Sequence, residues 1–373
     1  MKPLSIVLFI FVLCLLIFGS HFFIYHSWLK FTSPVSARLR KMVAVVISLL
    51  PLLFIITSFA ASRYDYWLFR FTYLVSSLWL GLAVNLFFIF LILWFLFFLS
   101  KAFSFYLPLP LAGYFFIFLS FIITIIGTFN SFYPTVRKFD LPFRSLPSSW
   151  QGKKVVYLSD LHLGYIYGPK FARSVISLIN QQEPDLVLIA GDFYDGTRGQ
   201  LESSTAEFKN LHARFGAYLV NGNHEKFFGL STAQKLLADT PIKTLSNELV
   251  NLEGLDVVGL EYLGEKSQGK LLVSLNSVPG FSSSSPTILL YHEPLDIEQI
   301  KKSGVDLMLA GHTHRGQIFP FNFITDLVYR GFDYGFYQLE NFSLYVTAGV
   351  GSWGPPVRTS ARPEIVVFKL QAL

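Results

Sequence analysis

Residues Leu307–Pro320 read LMLAGHTHRGQIFP. Four apolar residues with buried-strand character, Leu307–Ala310, give way at once to Gly311, His312, Thr313 and His314. A strand end that turns polar this abruptly is placing groups somewhere. The same design recurs along the chain. VVYL (155–158) runs into Ser159-Asp160-Leu161-His162, and DLVLIA (185–190) into Gly191-Asp192. AYLV (217–220) runs into Asn221-Gly222-Asn223-His224-Glu225, TILLY (287–291) into His292-Glu293-Pro294, and LYVTA (344–348) into Gly349. Helical candidates fall between these runs: Phe171–Gln182, with apolar residues at helical spacing, and the weaker Thr205–His212, Ser231–Ala238 and Leu295–Lys302. Strands alternating with helices predict an α/β domain of helix-covered sheets, with polar clusters converging outside the carboxyl ends of the strands.

Of eight histidines, five (His162, His224, His292, His312 and His314) lie inside those clusters. His212 reads as an ordinary surface residue in a helix. Together Asp160, His162, Asp192, Asn223, His292, His312 and His314 supply carboxylate, imidazole and amide oxygen. That mixture suits Mn, Fe or Zn and is wrong for a calcium cage. Seven ligands are too many for one tetrahedral site, and an odd number suits two sites that share one. A carboxylate has two oxygens and can bridge. Paired ions about 3.5–4 Å apart serve in-line attack at phosphorus, activating water and steadying the developing charge. His312 and His314 leave one turn and can each serve a different ion, whereas Asp160 and His162 can serve the same one. Taken singly, Asp160 could cap a turn, Asn223 could adopt a left-handed turn beside Gly222, and His292 could be a satisfied core histidine.

The ordered motifs DLH, GD, GNHE, a lone His and GHTH resemble those of the calcineurin-like metallophosphoesterase superfamily, over roughly residues 153–373. SDLHLG, PDLVLIAGD, GHTHRGQIFPFN and the tail GVGSWGPPVRTSARPEI are similar to its membrane-linked subgroup. That subgroup includes transmembrane metallophosphoesterases and more distant relatives that cleave the lipid precursor UDP-2,3-diacylglucosamine. The resemblance implies a two-sheet β-sandwich flanked by helices. It implies that Asp160, His162 and His314 hold one divalent ion, that Asn223, His292 and His312 hold a second, and that Asp192 bridges them. Manganese is the first expectation for both, with Fe and Zn as alternatives. His224 would face the leaving group as general acid. Arg315 departs from the small residue expected there. It is a candidate phosphate contact, as is Arg358 in PPVR, with a solvated or structural side chain as the alternative.

The first third differs. Residues 1–134 carry nine charged side chains, of which only Asp65 is acidic. The remainder has 22 Lys/Arg and 23 Asp/Glu, so the net charge of +6 belongs wholly to the first third. The site-bearing part thus has no excess positive charge to hold a phosphate backbone, and nucleic acid is not an expected partner. Four apolar runs, Leu4–Trp28, Met42–Ala61, Phe71–Ser100 and Leu111–Tyr133, are long enough to span a bilayer. The first is too long for a signal peptide and lacks a clear cleavage site, so it reads as a retained helix. Four spans place both termini on one side. Lys2, Arg63, Arg70, Arg137, Lys138 and Arg144 on that side face Lys30, Arg38, Arg40, Lys41 and Lys101 on the other, so the positive-inside rule does not choose a face. The lone Cys14 excludes intrachain disulfides and cysteine-based zinc sites.

The expected organisation is an all-α membrane region of about four helices over 1–134, a linker with a candidate edge strand over 135–152, and the metallophosphoesterase domain over 153–373. GEKSQGK (264–270) is not a P-loop. Leu271 stands where Ser or Thr is required, and the following residues read as a strand. GVGSWG (349–354) is followed by two prolines rather than a helix, which excludes a dinucleotide fingerprint. The expected activity is metal-dependent phosphoester or pyrophosphate hydrolysis at the membrane, on a lipid-borne substrate. The alternatives are hydrolysis of soluble phosphoesters and a catalytically silent binding module. Oligomeric state is not legible.

Overall fold

The computed structural model describes residues 3–33, 35–143, 146–264 and 268–372, with the side chains of 3–10 and 13 outside the described set. Lys2 and Arg144, counted above for orientation, lie outside the described residues, as does part of the 264–270 segment. The chain forms two compact units. One comprises residues 1–61, 66–129 and 354–357; the other comprises 62–65, 130–353 and 358–373.

Among the described residues, the apolar unit contains four helices, α1 (Pro3–Phe31), α2 (Ala37–Ala61), α3 (Trp67–Ala102) and α4 (Leu109–Phe132). Among the described residues, α2, α3 and α4 are long and apolar enough to cross a membrane. The first expected run forms a helix whose leading side chains are not described. Ile24, Phe31, Leu86, Phe90 and Leu93 form the core of this unit. Polar side chains inside it are paired across helices: Trp79 Nε1 donates to His21 Nε2 at 3.0 Å, Trp94 Nε1 to Ser27 Oγ at 2.9 Å, and Asn85 Nδ2 to Thr124 Oγ1 at 2.8 Å. Such bonds join helices where lipid offers no competing partner.

The polar unit is an α/β domain built on twelve strands among its described residues. They are β1 (Thr135–Phe143), β2 (Lys154–Leu158), β3 (Leu186–Ala190), β4 (Ala217–Val220), β5 (Ile242–Thr244), β6 (Glu248–Leu252), β7 (Leu255–Gly259), β8 (Thr287–Leu290), β9 (Leu307–Ala310), β10 (Gly335–Leu339), β11 (Phe342–Val346) and β12 (Glu364–Ala372). They form two six-stranded mixed sheets, ordered β1-β12-β2-β3-β4-β5 and β10-β11-β9-β8-β7-β6. β2, β3 and β4 run parallel, as do β7, β8, β9 and β11. These central strands are covered on both faces and so read as unbroken apolar runs rather than alternating ones. Tyr157, Leu188, Val257, Ile288, Leu309, Tyr345 and Phe368 fill the space between the sheets.

Helices cover the outer faces. α5 (Pro169–Asn180) starts with Pro at its first position, where the missing N–H is harmless. It turns Phe171, Val175 and Ile179 onto Val156, Ile189 and Leu219. Each such burial contributes about 1.5–3 kcal/mol. α6 (Leu201–Ala206), α7 (Asn223–Phe228) and α8 (Leu230–Leu237) complete that side. On the second sheet, α9 (Leu271–Asn276) and α10 (Ile297–Lys301) pack Leu271, Leu275, Ile297 and Ile300 onto Leu289, Met308 and Leu344. α11 (Asn322–Val328) follows the histidine turn.

Three local expectations change. Thr135–Phe143 is a full strand, paired in parallel with β12 along its whole length, and Pro142 is accommodated because β1 is an edge. LLVSLN (271–276) is the helix α9 rather than a strand, because Leu271 and Leu275, one turn apart, both face the core. The P-loop reading then fails on Leu271 alone. Thr205–His212 is the end of α6 plus a 3-10 turn over Glu207–Asn210, which leaves His212 in an exposed loop.

Candidate metal centre

Every polar cluster seen in the sequence follows a parallel strand, and these strands bring their carboxyl ends to one edge of the two sheets. Asp160 and His162 follow β2, Asp192 follows β3, Asn223 and His224 open α7 after β4, His292 follows β8, and His312 and His314 follow β9. The loops are stitched to one another by backbone bonds. Asp160 N donates to Gly191 O at 3.0 Å, His162 N to Asp192 O at 3.1 Å and Gly311 N to His292 O at 2.9 Å. Asp160, His162, Asp192, His312 and His314 all have φ between 49° and 70°. Left-handed backbone at a non-glycine residue costs on the order of 1 kcal/mol or more. Five instances at one edge mark a place where side-chain direction outweighs backbone comfort. Packing here leaves no room for even a Cβ at Gly222, which would collide with the Asp192 carboxylate.

The side chains gather at two adjacent points. Asp160, His162 and His314 form one group, with His162 Nε2 3.0 Å from His314 Nε2 and Asp160 Oδ1 3.6 Å from His314 Nε2. Asp192, His292 and His312 form the other, with His292 Nε2 3.1 Å from Asp192 Oδ2 and 3.1 Å from His312 Nδ1. Asn223 Oδ1 joins the second group at 3.1 Å from His292 Nε2. Two nitrogens bound to one ion at about 2.1 Å stand roughly 3.0–3.4 Å apart at octahedral or tetrahedral angles, which is the spacing found here. Asp192 also groups with His162 and His224, so it stands between the two points.

The ring nitrogens are oriented from behind. His292 Nδ1 lies 2.7 Å from Ala190 O, so it carries the proton, and Nε2 faces the site. His312 Nε2 lies 3.2 Å from Glu293 Oε1, which leaves Nδ1 for the site. His224 Nδ1 lies 2.8 Å from Asp195 O and aims Nε2 inward, 4.0 Å from Asp192 Oδ2. Burial, with neighbouring positive charge, holds His162 and His314 well below the usual histidine range and brings His312 down to about 3. Those three rings are therefore neutral, the form that ligates a metal. His292 differs. Burial disfavours its charge, but the adjoining Asp192 carboxylate outweighs burial and pushes it up to about 10. Burial raises Asp160 to about 6 and Asp195 to about 6. So many acids in a closed pocket call for cations, because unpaired buried charge is expensive. The donor set and its spacing fit a pair of divalent ions.

Residues 153–316 match the model of the family described as calcineurin-like phosphoesterase. The polar unit has the metallophosphoesterase fold. An uncharacterized metallophosphoesterase of Campylobacter jejuni is 35% identical over 241 residues, 64% of this chain and 63% of that protein. A transmembrane protein with metallophosphoesterase domain from Bos taurus is 33% identical over 271 residues, 67% of this chain and 60% of that protein. The chain thus spans about 60% of the length of these relatives. Among solved structures, a dimetal phosphatase from Danio rerio covers 59% of this chain and 93% of its own at 12% identity and a TM-score of 0.36.

Behind the seven candidate donors stand residues whose roles the motifs did not reveal. Glu225 is fully buried and accepts from the backbone N–H of Asp192 (3.0 Å), Tyr194 (3.0 Å) and Gly222 (2.7 Å). One carboxylate thereby ties the Asp192 loop to the Asn223 loop. Asp195 sets His224 through its carbonyl, and its carboxylate stands 3.6 Å from His162 Nδ1. A third acid three residues after Asp192 was the available signal. Phe193 and Tyr194 are core residues.

The two candidate substrate arginines part company. Arg315 is half-buried, with its guanidinium over the Tyr334 ring at 4.7 Å from the centroid. Arg358 is 1% exposed and donates to Ser352 Oγ (3.0 Å), His314 O (3.0 Å), Ala348 O (2.6 Å) and Gly351 O. Each of its three nitrogens is engaged within its own domain. The expectation that Arg358 touches phosphate is therefore corrected: it braces the His314 turn against the 348–352 loop.

Proposed function

We propose that this chain is a membrane-anchored, dinuclear-metal phosphoesterase that hydrolyses a phosphodiester or pyrophosphate bond of a lipid-borne substrate, as for instance a nucleoside-diphosphate lipid of the UDP-2,3-diacylglucosamine type. The observation that supports it is the gathering of seven donors from five strand ends into two adjacent groups, with Asp192 of the second also close to His162 of the first. In this reading the membrane part is 1–134 and the catalytic domain is 153–373. Asp160, His162 and His314 hold one cation; Asn223, His292 and His312 hold the other; Asp192 bridges. Manganese suits the mixed oxygen and imidazole donors. When bound, the pair activates water and neutralises charge at phosphorus.

The protein's own groups do the rest. Glu225 and the loop ladder hold the donors at fixed separation, so no reorganisation accompanies the reaction. His224 is not required by either donor group. Burial lowers the affinity of its ring for a proton, but Asp192 and Asp195 raise it more, and the net shift is upward. That shift favours a proton on His224 Nε2 for the leaving oxygen. Arg315, partly exposed next to His314, is the remaining candidate for a phosphate contact. A silent binding module is the less economical reading, since none of the seven donor positions has lost its ligand type.

The test is Asp192→Asn in the full-length protein, assayed on a generic aryl phosphodiester and on a nucleoside-diphosphate lipid. Loss of hydrolysis of both supports the shared-aspartate centre, whereas full activity of the variant would refute it. Wild-type turnover of the aryl ester alone would move the substrate to the soluble class.

A further inference from the structure

The helix α11 is amphipathic in the wrong sense for a water-facing element. Its apolar residues Phe323, Ile324, Leu327 and Val328 fall on one side and are 64%, 56%, 79% and 62% exposed. Phe319, just before it, is 54% exposed and packs its ring 5.8 Å from that of Phe323. The polar side faces the domain. Thr325 Oγ1 donates to Asp333 Oδ2 at 2.8 Å, Asn322 Oδ1 is buried, and Tyr329 brings its ring to 6.4 Å from that of His312. A helix in water turns its apolar stripe inward. A contiguous exposed patch of large apolar side chains marks a docking surface.

Three observations name the occupant. Among the described residues, the same chain carries three helices long and apolar enough to cross a membrane. Only Tyr133 and Pro134 separate the end of α4 from the start of β1. Within the polar unit, the segment that follows α11 reaches β1: Tyr334, six residues beyond α11, accepts from Arg137 of β1 at 2.8 Å and lies under the Arg315 guanidinium. Arg330, exposed just after α11, adds a cation beside the apolar patch, of the kind that anionic headgroups attract.

We propose that α11 is an interfacial membrane anchor, with Phe319, Phe323, Ile324, Leu327 and Val328 entering the acyl region of the bilayer. The anchor holds the metal centre at the headgroup layer, because the opposite side of the same helix bears on His312 through Tyr329. Short in-plane helices bind a bilayer through such an apolar face flanked by basic residues. This role does not depend on the catalytic reading, since the bilayer itself, not the substrate, covers the patch.

The experiment uses the full-length protein with Cys14→Ser, reconstituted into phosphatidylcholine–phosphatidylglycerol vesicles. An environment-sensitive fluorophore is placed at Leu327→Cys, or at Val328→Cys should the first fold poorly. Asp239→Cys, on the outer helical layer of the first sheet, serves as reference. The expected result is blue-shifted emission and strong quenching by spin-labelled lipid at 327 or 328, with neither at 239. Emission at 327 and 328 matching that at 239 would overturn the proposal. So would a blue shift without lipid quenching that grows with protein density, which assigns the patch to a second copy. A shift that appears only on adding a nucleoside-diphosphate lipid would overturn it too, because the patch would then be a substrate subsite.

Discussion

Glu225→Gln changes one oxygen to an amide nitrogen at a buried carboxylate that accepts three backbone N–H groups, at 2.7, 3.0 and 3.0 Å. Whichever way the new amide points, its NH2 meets at least one backbone N–H donor head-on. Hydrogen bonds to a charged group contribute about 1.5–3 kcal/mol each, and a buried donor left without an acceptor costs about 1–3 kcal/mol. The substitution also relieves an unfavourable burial, for burial raises the Glu225 carboxyl above its ordinary range despite those bonds. The net loss is then about 2 kcal/mol, or about 4–8 °C in the unfolding temperature of a domain this size. The strained partners are Asp192 and the turn before Asn223, so metal affinity should fall by about 10–100-fold, the usual weight of a group that orients ligands from behind. Calorimetry of the full-length protein in detergent reads the first effect, and isothermal titration with Mn reads the second. A variant that keeps both the transition of the polar domain and wild-type metal affinity would refute the claim that Glu225 holds the two loops together.

Other consequences follow from the same geometry. His224→Ala should keep both ions and lose about 10²–10⁴ in turnover, the range for a general acid; metal loss on analysis would make His224 a ligand instead. His292, pushed up to about 10, is protonated at pH 7–8, so metal entry must displace one proton there. Titration enthalpies in buffers of different ionisation heat should reveal that proton, and enthalpies independent of buffer would contradict it. Arg358→Met leaves three backbone carbonyls without their donor and should cost at least about 3 kcal/mol. Arg315→Ala should leave the unfolding temperature unchanged, and calorimetry of the two variants side by side separates a brace from a surface group.

Much of the edge that carries the candidate site was legible because parallel strands covered on both faces are unbroken apolar runs, and each such run ended in an abrupt polar cluster. The five clustered histidines announced the centre for the same reason. What escaped notice depended on distant partners. Strand β12 pairs with β1 and β2, both more than 200 residues away in sequence, and its residues carry no turn signal that would announce this. LLVSLN has the composition of a strand and becomes helix α9 only because the second sheet offers a face to cover. Arg358 stood open between a phosphate contact and a structural pair, because a lone arginine in a loop carries no sign of its partners. Only the fold shows four acceptors already waiting for it. Glu225 sat inside a recognised motif, yet its task is visible only when the loops after β3 and β4 lie side by side.

The most direct measurement is elemental analysis of the full-length protein, purified without chelator, beside its Asp192→Asn variant. Two transition-metal ions per chain, falling to one or none in the variant, is the predicted result. A folded wild-type protein that binds no transition metal when Mn, Fe or Zn is supplied, or a variant that retains both ions, would contradict the shared-aspartate centre.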